Sequence, residues 1–371
     1  MTEHIPPHNR RDKMGDVTYE VGGVKYTYGN EGLVGDTPKE VMAIVREHGA
    51  AIRRGVLTPE ECAKVNDMMW AALEEATADF DVPIKYGDPT TYKSIMMMGP
   101  SHGGLIQHTL GHSAHAWFVR THPKVLEMFA FAHDLPIVGL RVSFDGVNIT
   151  LHPVMPGGVT QRPGKSWIHV DQAFSDPSFR AIQSSINANP VRPGDATFAF
   201  WDMPPEPTFA DFAKTFGLTS QKEDWHKLTP EQEAWLEERG GRKRYVTCGA
   251  GDQIVWDSRT FHSGSRPLPD DVCGRKEEDR TYRNVVYVCA GPPPADPKKR
   301  EAADRKRKRI MDPNDEWSGR LTSHWPDKVK LFPAKPRDWG DAKLRNHLAK
   351  VRMIKPPTDL QGDAKIVAQG P

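Results

Sequence analysis

The sequence lacks the features that mark membrane proteins and disulfide-rich secreted proteins. No apolar run approaches the length of a membrane span, and the N-terminal stretch MTEHIPPHNRRDKMGD has no apolar core of a signal peptide. Cysteine is scarce, and the four residues Cys62, Cys248, Cys273 and Cys289 form no CxxC pair. This spacing argues against a disulfide framework and against a thiolate zinc site. We therefore expect free thiols and a cytoplasmic protein.

An excess of charge of one sign is also missing. Lys and Arg number 50 against 49 Asp and Glu, a formal net charge of +1, which gives no electrostatic reason to expect a nucleic-acid partner. The one local exception is the basic run Arg305–Arg309 within a predicted helix, Pro297–Met311. We interpret the run as a solvated helix face, with nuclear targeting or polyanion binding as the alternative. No glycine-rich phosphate loop follows a strand, which disfavours a dinucleotide-binding fold.

Three segments carry the same helix-start signature, which is Thr, then Pro, then an acid or amide at the fourth position. The hydroxyl caps the first turn, proline fits the first helical position, and the third helical side chain reaches back to the cap. The signature predicts helices after Thr37, Thr58 and Thr229. A short strand, Ala50–Arg53, is predicted between the first two helices.

Beyond residue 140 the pattern changes to short runs rich in β-branched and aromatic residues, separated by Gly, Pro and Asp. Such runs are typical of an all-β sandwich or barrel. The predicted strands are Leu140–Thr150, Trp167–Val170, Phe179–Ile186, Ala196–Trp201, Gln253–Trp256 and Tyr282–Cys289. Residues 1–36 are expected to form a poorly ordered arm with a short hairpin around Val21–Tyr28.

A metal site is predicted from the segment WIHVDQ, which places His169 and Asp171 two residues apart. On a strand, residues i and i+2 project to the same face, so one imidazole and one carboxylate can meet one ion. His262, in WDSRTFHSG, supplies a third ligand from a later strand region. Two imidazoles and one carboxylate form the facial triad of non-haem Fe(II) oxygenases, which leaves positions open for a bidentate oxoacid and dioxygen.

An oxoacid such as 2-oxoglutarate also needs a partner for its far carboxylate. Arg283 begins the strand RNVVYVC and shares one face with Val285, Tyr287 and Cys289. The guanidinium fork pairs a carboxylate through two hydrogen bonds, so Arg283 is the predicted anchor.

At this point the sequence resembles the phytanoyl-CoA dioxygenase-like family of 2-oxoglutarate oxygenases, over most of the chain. The segments that carry the resemblance are residues 48–62, WIHVDQ, GDATFAFW from Gly194, GDQIVWDSRTFHSG from Gly251, and RNVVYVC. GHSAHAW, SFDG and TSHWPDKVKLFP are similar to a eukaryotic and viral-type branch of that family.

The resemblance implies a mainly β fold with helices (α+β), namely a double-stranded β-helix (a cupin-like jelly roll). N-terminal helices would buttress it and a helical extension would follow it. The implied units are an arm (1–36), an oxygenase domain (37–292) and a C-terminal extension (293–371). Fe(II) and 2-oxoglutarate are the implied cofactors, and hydroxylation of a small-molecule or acyl substrate by dioxygen, with release of succinate and CO2, is the implied reaction.

The resemblance also implies cosubstrate contacts from Gln183 and from Ser263 or Ser265. The sequence departs from the family pattern at Trp201–Pro205, and an insertion at Arg266–Glu278 separates His262 from the next strand. Because of that insertion, Arg280 and Arg266 remain alternative anchors.

Several further residues are candidates for substrate contacts. Trp167 and Lys165 lie beside the metal motif, and His108, His112 and His115 follow helical spacing. These histidines either face the substrate or belong to an ordinary helix surface. Two other functions remain open on the same barrel, a metal-binding protein without turnover and a metal-dependent hydrolase or isomerase.

Overall fold

Two β-sheets form the centre of the protein in the computed structural model. The structure describes residues 15–99, 104–107, 109–319, 321–322, 324–328, 330–331 and 350–370. Within these residues, no helix is both long enough and apolar enough to cross a membrane.

Seventeen strands are numbered in chain order. They are β1 (Val17–Val21), β2 (Val24–Gly29), β3 (Val34–Gly35), β4 (Ala50–Arg53), β5 (Leu105–Ile106), β6 (Arg141–Val142), β7 (Val147–Thr150), β8 (His169–Val170), β9 (Ile182–Asn187), β10 (Phe198–Asp202), β11 (His226–Lys227), β12 (Arg242–Val246), β13 (Gln253–Asp257), β14 (His262–Gly264), β15 (Arg283–Gly291), β16 (Leu321–Thr322) and β17 (Lys330–Leu331).

Nine α-helices surround the sheets in the described part of the chain. They are α1 (Pro38–His48), α2 (Pro59–Ala76), α3 (Ala114–Arg120), α4 (Pro123–His133), α5 (Pro205–Thr215), α6 (Pro230–Glu238), α7 (Asp270–Cys273), α8 (Pro297–Met311) and α9 (Gly362–Gln369). Thr37, Thr58 and Thr229 each form the predicted capping box, so these three helix starts are confirmed.

The strand order brings together segments that are distant in sequence. The seven-stranded sheet has the order β1-β2-β12-β10-β14-β8-β11, and the eight-stranded sheet has the order β3-β4-β13-β9-β15-β7-β5, with β6 paired to β15. From β7 to β10, and again from β12 to β15, consecutive strands alternate between the two sheets. As a result β8 pairs with β14, and β9 lies between β13 and β15.

The buried residues separate into an inner and an outer layer. Phe198, Phe200, Ile254 and Trp256 belong to a cluster fed by strands of both sheets. A larger cluster covers the outer face of the eight-stranded sheet, where Val286 and its neighbours on β15 meet helices α1 to α4. Alternate residues of β15 therefore face opposite layers, as the period of a strand requires.

The N-terminal and C-terminal segments join these layers. The predicted arm is ordered over residues 17–35, where β1 and β2 form the expected hairpin, β2 pairs with β12, and β3 pairs with β4. At the other end, Ile310 of α8 and Val367 of α9 are buried in the outer cluster.

The basic run on α8 is not a uniformly solvated face. Arg307 is 1% exposed and donates to the backbone carbonyls of Val142, Pro326 and Ala368. Arg305 is paired with Glu301 on the exposed side of the same helix.

Candidate metal centre

The three predicted metal ligands lie together where β8 meets β14. His262 is the register partner of His169 across the two antiparallel strands, and Asp171 follows directly after β8. All three side chains are buried, and one ligand atom from each lies within 4.8 Å of the others. Because paired residues of adjacent strands share a face of the sheet, both imidazoles approach the carboxylate from one side.

Backbone carbonyls orient the two imidazole rings. His169 Nδ1 donates to the Trp167 carbonyl at 3.1 Å, and His262 Nδ1 donates to the Thr260 carbonyl at 2.9 Å. Each Nε2 then faces Asp171, at 3.6 Å from Oδ1 for His169 and 3.4 Å from Oδ2 for His262. A hydrogen bond at Nδ1 fixes the tautomer in which the Nε2 lone pair is free for a metal.

The electrostatics of the cluster favour the ligand forms of these side chains. Burial, with the neighbouring His262, lowers the pKa of His169 to about 3. Burial alone would raise the pKa of Asp171, but His324, His169 and His262 outweigh it and hold that pKa well below its usual range. A neutral imidazole beside an ionised carboxylate is the state that a divalent cation binds.

Two residues that the sequence analysis did not assign complete the surroundings of Asp171. His324 Nε2 lies 3.1 Å from Asp171 Oδ2, and His324 Nδ1 lies 2.7 Å from Asp145 Oδ2. Burial opposes protonation of His324, but Asp171 and Asp145 raise its pKa well above the usual value. Both residues stand in segments that carry the family resemblance, SFDG and TSHWPDKVKLFP, but no spacing rule links them to WIHVDQ.

A cavity of about 340 Å³ opens beside the three ligands. Trp167 lies on its wall, where the indole stacks on His169 at 4.7 Å between ring centroids and donates to the Gly264 carbonyl at 2.7 Å. Trp225 and Trp325 line the cavity too, and Trp225 is 45% exposed with a backbone φ of 130°. A bulky residue rarely adopts such a φ, and strained backbone of this kind concentrates at functional sites.

The structure distinguishes the alternative anchor residues. Arg283 is 6% exposed, and its Nε and Nη1 atoms find no hydrogen-bond partner among the described residues. Arg280 is instead paired with Asp270, its Nε lying 2.9 Å from Oδ2, and with Glu277 at 3.8 Å. Arg266 is partly buried, and its backbone N–H donates to Gln161 Oε1 at 3.0 Å.

More buried polar atoms without partners lie on the inner faces of the sheets. Within the described chain they include Ser185 Oγ, both amide atoms of Asn187 and the Nε1 atom of Trp256. Ser185 pairs in register with Tyr287, which lines the cavity, and Asn187 pairs with Val285. Buried polar groups are almost always hydrogen-bonded, so this polar surface suits a polar ligand or ordered water.

The remaining cosubstrate candidates have different surroundings. Gln183 Nε2 donates to Asp171 Oδ2 at 2.9 Å, so its amide contacts a predicted metal ligand. Ser263 lines the cavity. Ser265 is occupied by backbone, because its Oγ accepts from the Thr197 N–H at 3.0 Å.

Three of the substrate candidates do not line the cavity. His112 and His115 are buried, with His112 packed 5.6 Å from Phe144 and His115 Nδ1 at 2.8 Å from Ser113 Oγ. Lys165 is exposed, outside the residues that line the cavity. His108 lies outside the described residues.

Comparisons with known proteins give likenesses at low identity. A search of protein-family models finds no match. The chain is 25% identical over 269 residues to Ava biosynthesis cluster protein O of Aspergillus versicolor, which covers 69% of this chain and 80% of that protein. A solved protein of Salmonella typhimurium LT2 has a TM-score of 0.53 at 12% identity, covering 88% of this chain and 82% of that one.

A further solved structure is SnoN, an epimerase in complex with Fe3+, alpha ketoglutarate and nogalamycin RO. It is 16% identical, with a TM-score of 0.41, and the match covers 69% of this chain and 83% of SnoN. The likeness to the Salmonella protein, with a TM-score of 0.53 at 12% identity, shows that this chain shares that protein's fold.

Proposed function

We propose that this protein is an Fe(II)- and 2-oxoglutarate-dependent dioxygenase, most simply a hydroxylase of a small molecule. One observation carries the proposal. A buried His-Asp-His cluster and a buried arginine without a partner among the described residues occur together, with polar inner-face groups near the arginine. A structural histidine–aspartate pair would account for the cluster alone, but it would leave the arginine unexplained.

The strand order supports a double-stranded β-helix. In such a fold, consecutive strands alternate between two facing antiparallel sheets, as β7 to β10 and β12 to β15 do here. We propose that these eight strands form the jelly roll and that residues 293–371 extend the same unit. The C-terminal residues Ile310 and Val367, buried in the outer core, support this assignment.

The donor set fits iron. Two imidazole nitrogens and one carboxylate, with an open cavity beside them, are the ligands of the facial triad in non-haem Fe(II) oxygenases. His169, Asp171 and His262 would hold the metal. A site of this size and with these ligands would also bind other divalent ions, which is useful for measuring affinity without turnover.

The arginine fits the far carboxylate of the oxoacid. The guanidinium of Arg283 is buried on the inner face of β15. Its Nε and Nη1 atoms have no hydrogen-bond acceptor among the described residues. A carboxylate would take both hydrogen bonds in the two-pronged geometry that arginine favours. Asn187 and Ser185, on the neighbouring strand, would satisfy their own polar atoms against the same ligand.

When bound, iron and the oxoacid together would activate dioxygen, with release of succinate and CO2 from the oxoacid. The protein's own contribution is orientation and exclusion of water. Arg283 would align the oxoacid, and the carbonyls of Trp167 and Thr260 keep the two imidazoles in position. The tryptophans of the cavity wall would shield the substrate and hold it beside the metal.

The substrate is proposed to be a small molecule with an apolar part. Trp167, Trp225 and Trp325 give the cavity an aromatic wall, which suits a ring or an acyl chain. The name of the Aspergillus versicolor relative refers to a biosynthesis cluster, in keeping with a small-molecule substrate.

The experiment is an anaerobic titration of the protein with Fe(II) and then 2-oxoglutarate, followed by exposure to air and measurement of succinate. We expect binding of one metal and one oxoacid, and succinate formation that rises when a metabolite extract supplies substrate. Asp171→Ala is the matched control and should form no succinate. Metal binding without oxoacid binding would instead favour the hydrolase or isomerase alternative, and oxoacid binding without turnover on any substrate would favour a binding protein.

A further inference from the structure

His324 contacts the carboxylate of Asp171, which also faces His169 and His262. Its Nε2 is 3.1 Å from Asp171 Oδ2, the oxygen that also accepts from Gln183 Nε2 at 2.9 Å. No hydrogen bond reaches Oδ1 of the same carboxylate from any described residue, and His169 Nε2 lies 3.6 Å from it. Oδ2 is therefore engaged by His324 and Gln183 and lies 3.4 Å from His262 Nε2, whereas Oδ1 faces His169 without a hydrogen bond from the described residues.

We propose that His324 is a positioning residue of the metal centre, which holds Asp171 by Oδ2 so that Oδ1 is presented to the metal. This inference rests on the proposed function only in so far as Asp171 is a metal ligand. Ligating carboxylates are themselves hydrogen-bonded in metalloproteins, and those outer partners set the orientation and basicity of the ligand.

Asp145 holds His324 from the opposite side. His324 Nδ1 lies 2.7 Å from Asp145 Oδ2, and Asp145 Oδ1 accepts from the Gly146 N–H at 2.6 Å. Asp145 is 3% exposed, so its charge is compensated within the protein. The imidazole thus bridges two buried carboxylates, with Nδ1 toward Asp145 and Nε2 toward Asp171.

The chain around His324 is fixed by two other parts of the fold. Arg307 of α8 donates to the Pro326 carbonyl. Arg180 stacks on Trp325, with its Cζ 3.9 Å from the ring centroid, and pairs with Asp327 at 3.2 Å. These contacts hold residues 324–328 in place without Asp171. The position of the His324 imidazole therefore does not depend on its contact with the Asp171 carboxylate.

The alternative role for His324 is that of a fourth ligand. The three ligand atoms of the cluster lie within 4.8 Å of one another, and His324 is not part of that group. Its Nδ1 is directed at Asp145 Oδ2, and its Nε2 contacts both Asp171 Oδ2 and the side-chain amide of Gln183. We therefore assign it to orientation of Asp171 and not to ligation.

The test measures the affinity of metal-free wild-type and variant proteins for Mn(II), by anaerobic isothermal titration calorimetry without oxoacid or substrate. His324→Phe keeps a ring and removes both donors, and we expect it to weaken Mn(II) binding by about ten- to a hundredfold. His324→Gln keeps one donor toward Asp171 and should recover most of the affinity. Asp171→Ala should abolish binding.

The matched control is His48→Phe. His48 also pairs with a buried aspartate, Nδ1 to Asp202 Oδ1 at 2.7 Å, and its side chain is 24% exposed against 30% for His324. His48→Phe makes the same chemical change outside the metal cluster. It should therefore leave Mn(II) affinity within about twofold of the wild type, which is the scatter expected for an uncoupled site.

A double variant separates positioning from general destabilisation. Asp145→Asn should weaken Mn(II) binding in the wild-type background and have no further effect in the His324→Phe background, because Asp145 acts through His324. Additive losses would overturn the proposal. Should His324→Phe fail to fold, His324→Ala, which also removes both ring nitrogens, gives the same cycle with Asp145→Asn.

Two further outcomes overturn the assignment of His324. Wild-type affinity in His324→Phe means that Asp171 does not depend on it, and complete loss of binding, equal to that in Asp171→Ala, makes His324 a ligand. If the wild type itself binds no Mn(II) or Fe(II), the proposed function fails instead, so the two failures are distinguishable.

Discussion

Arg283 provides the sharpest test of the cosubstrate assignment. In the free protein its guanidinium is buried, with Nε and Nη1 lacking partners among the described residues, and no described acid forms an ion pair with it. If 2-oxoglutarate supplies the missing acceptors, Arg283→Ala leaves a carboxylate buried beside no cation. Breaking a buried pair in this way costs about 3–5 kcal/mol, or roughly 150- to 4,000-fold in affinity.

Arg283→Lys should have a smaller effect of the same sign. Lysine keeps the charge but cannot reproduce the two-pronged contact, so we expect a loss of about ten- to a hundredfold, or about 1.4–2.8 kcal/mol. Metal affinity should survive both changes, because the three ligand side chains are held by other contacts. Without oxoacid, Arg283→Ala should not lower the free energy of unfolding, since it removes a buried charge that has no acidic partner among the described residues.

The assay is calorimetric titration of 2-oxoglutarate into Mn(II)-loaded protein, with Arg280→Ala as the control. Arg280 lies three residues before Arg283 and is already paired with Asp270. Because its side chain is 28% exposed, loss of that pair should change oxoacid affinity by less than about threefold. A large defect in Arg280→Ala together with a silent Arg283→Ala would refute the assignment and the strand register on which it rests.

Three more outcomes are expected. The proposed metal ligands are His169, Asp171 and His262, and replacing any one of them with alanine should abolish Fe(II) and Mn(II) binding while the far-ultraviolet circular dichroism stays unchanged. Retained affinity in one variant would remove that residue from the site. In thermal melts, 2-oxoglutarate with Fe(II) should raise Tm in proportion to log concentration, and the oxoacid alone should do so much less, whereas equal shifts would indicate a site independent of metal. Burial lowers the pKa of His115 to about 3, so His115 stays neutral in the folded state. In the unfolded chain the same side chain gains a proton below about pH 6.5. Stability contributed by neutral His115 is therefore lost as pH falls from about 6.5 toward 3, by up to about 1.4 kcal/mol per pH unit, and urea unfolding of His115→Gln should show a shallower loss; an unchanged slope contradicts the burial argument.

Local features of the fold were predictable because their causes are local in sequence. The Thr-Pro capping boxes at Thr37, Thr58 and Thr229 are formed within four residues, and the strand Ala50–Arg53 has the predicted bounds. The helix Pro297–Met311 likewise has the predicted bounds. Turn and capping chemistry acts between near neighbours, so no tertiary information was needed.

Other elements were missed where the pattern is weak or the strand is short. Strand β12, Arg242–Val246, begins with three charged residues, a pattern that is typical of a surface segment. Strand β14 has three residues and carries a predicted metal ligand rather than an apolar run. Both are strands because neighbouring strands supply their hydrogen bonds, which is a tertiary effect.

The sequence by itself predicted which side chains would bind a metal and an oxoacid. The two-residue spacing of His169 and Asp171 on a strand and the position of Arg283 at the start of another carry that information. Tertiary structure alone decided which of these side chains meet. The pairing of β8 with β14 places His262 beside His169, and buried surroundings distinguish Arg283 from Arg280.

Tertiary structure also decided the parts of the site that no spacing rule could locate. His324 reaches Asp171 from a segment far along the chain, and Asp145 reaches His324 from another. The same packing places His112 and His115 in the helical core, away from the cavity lining. The physical reason is that strand pairing and burial depend on contacts between distant segments, whereas sequence patterns report only the preferences of near neighbours.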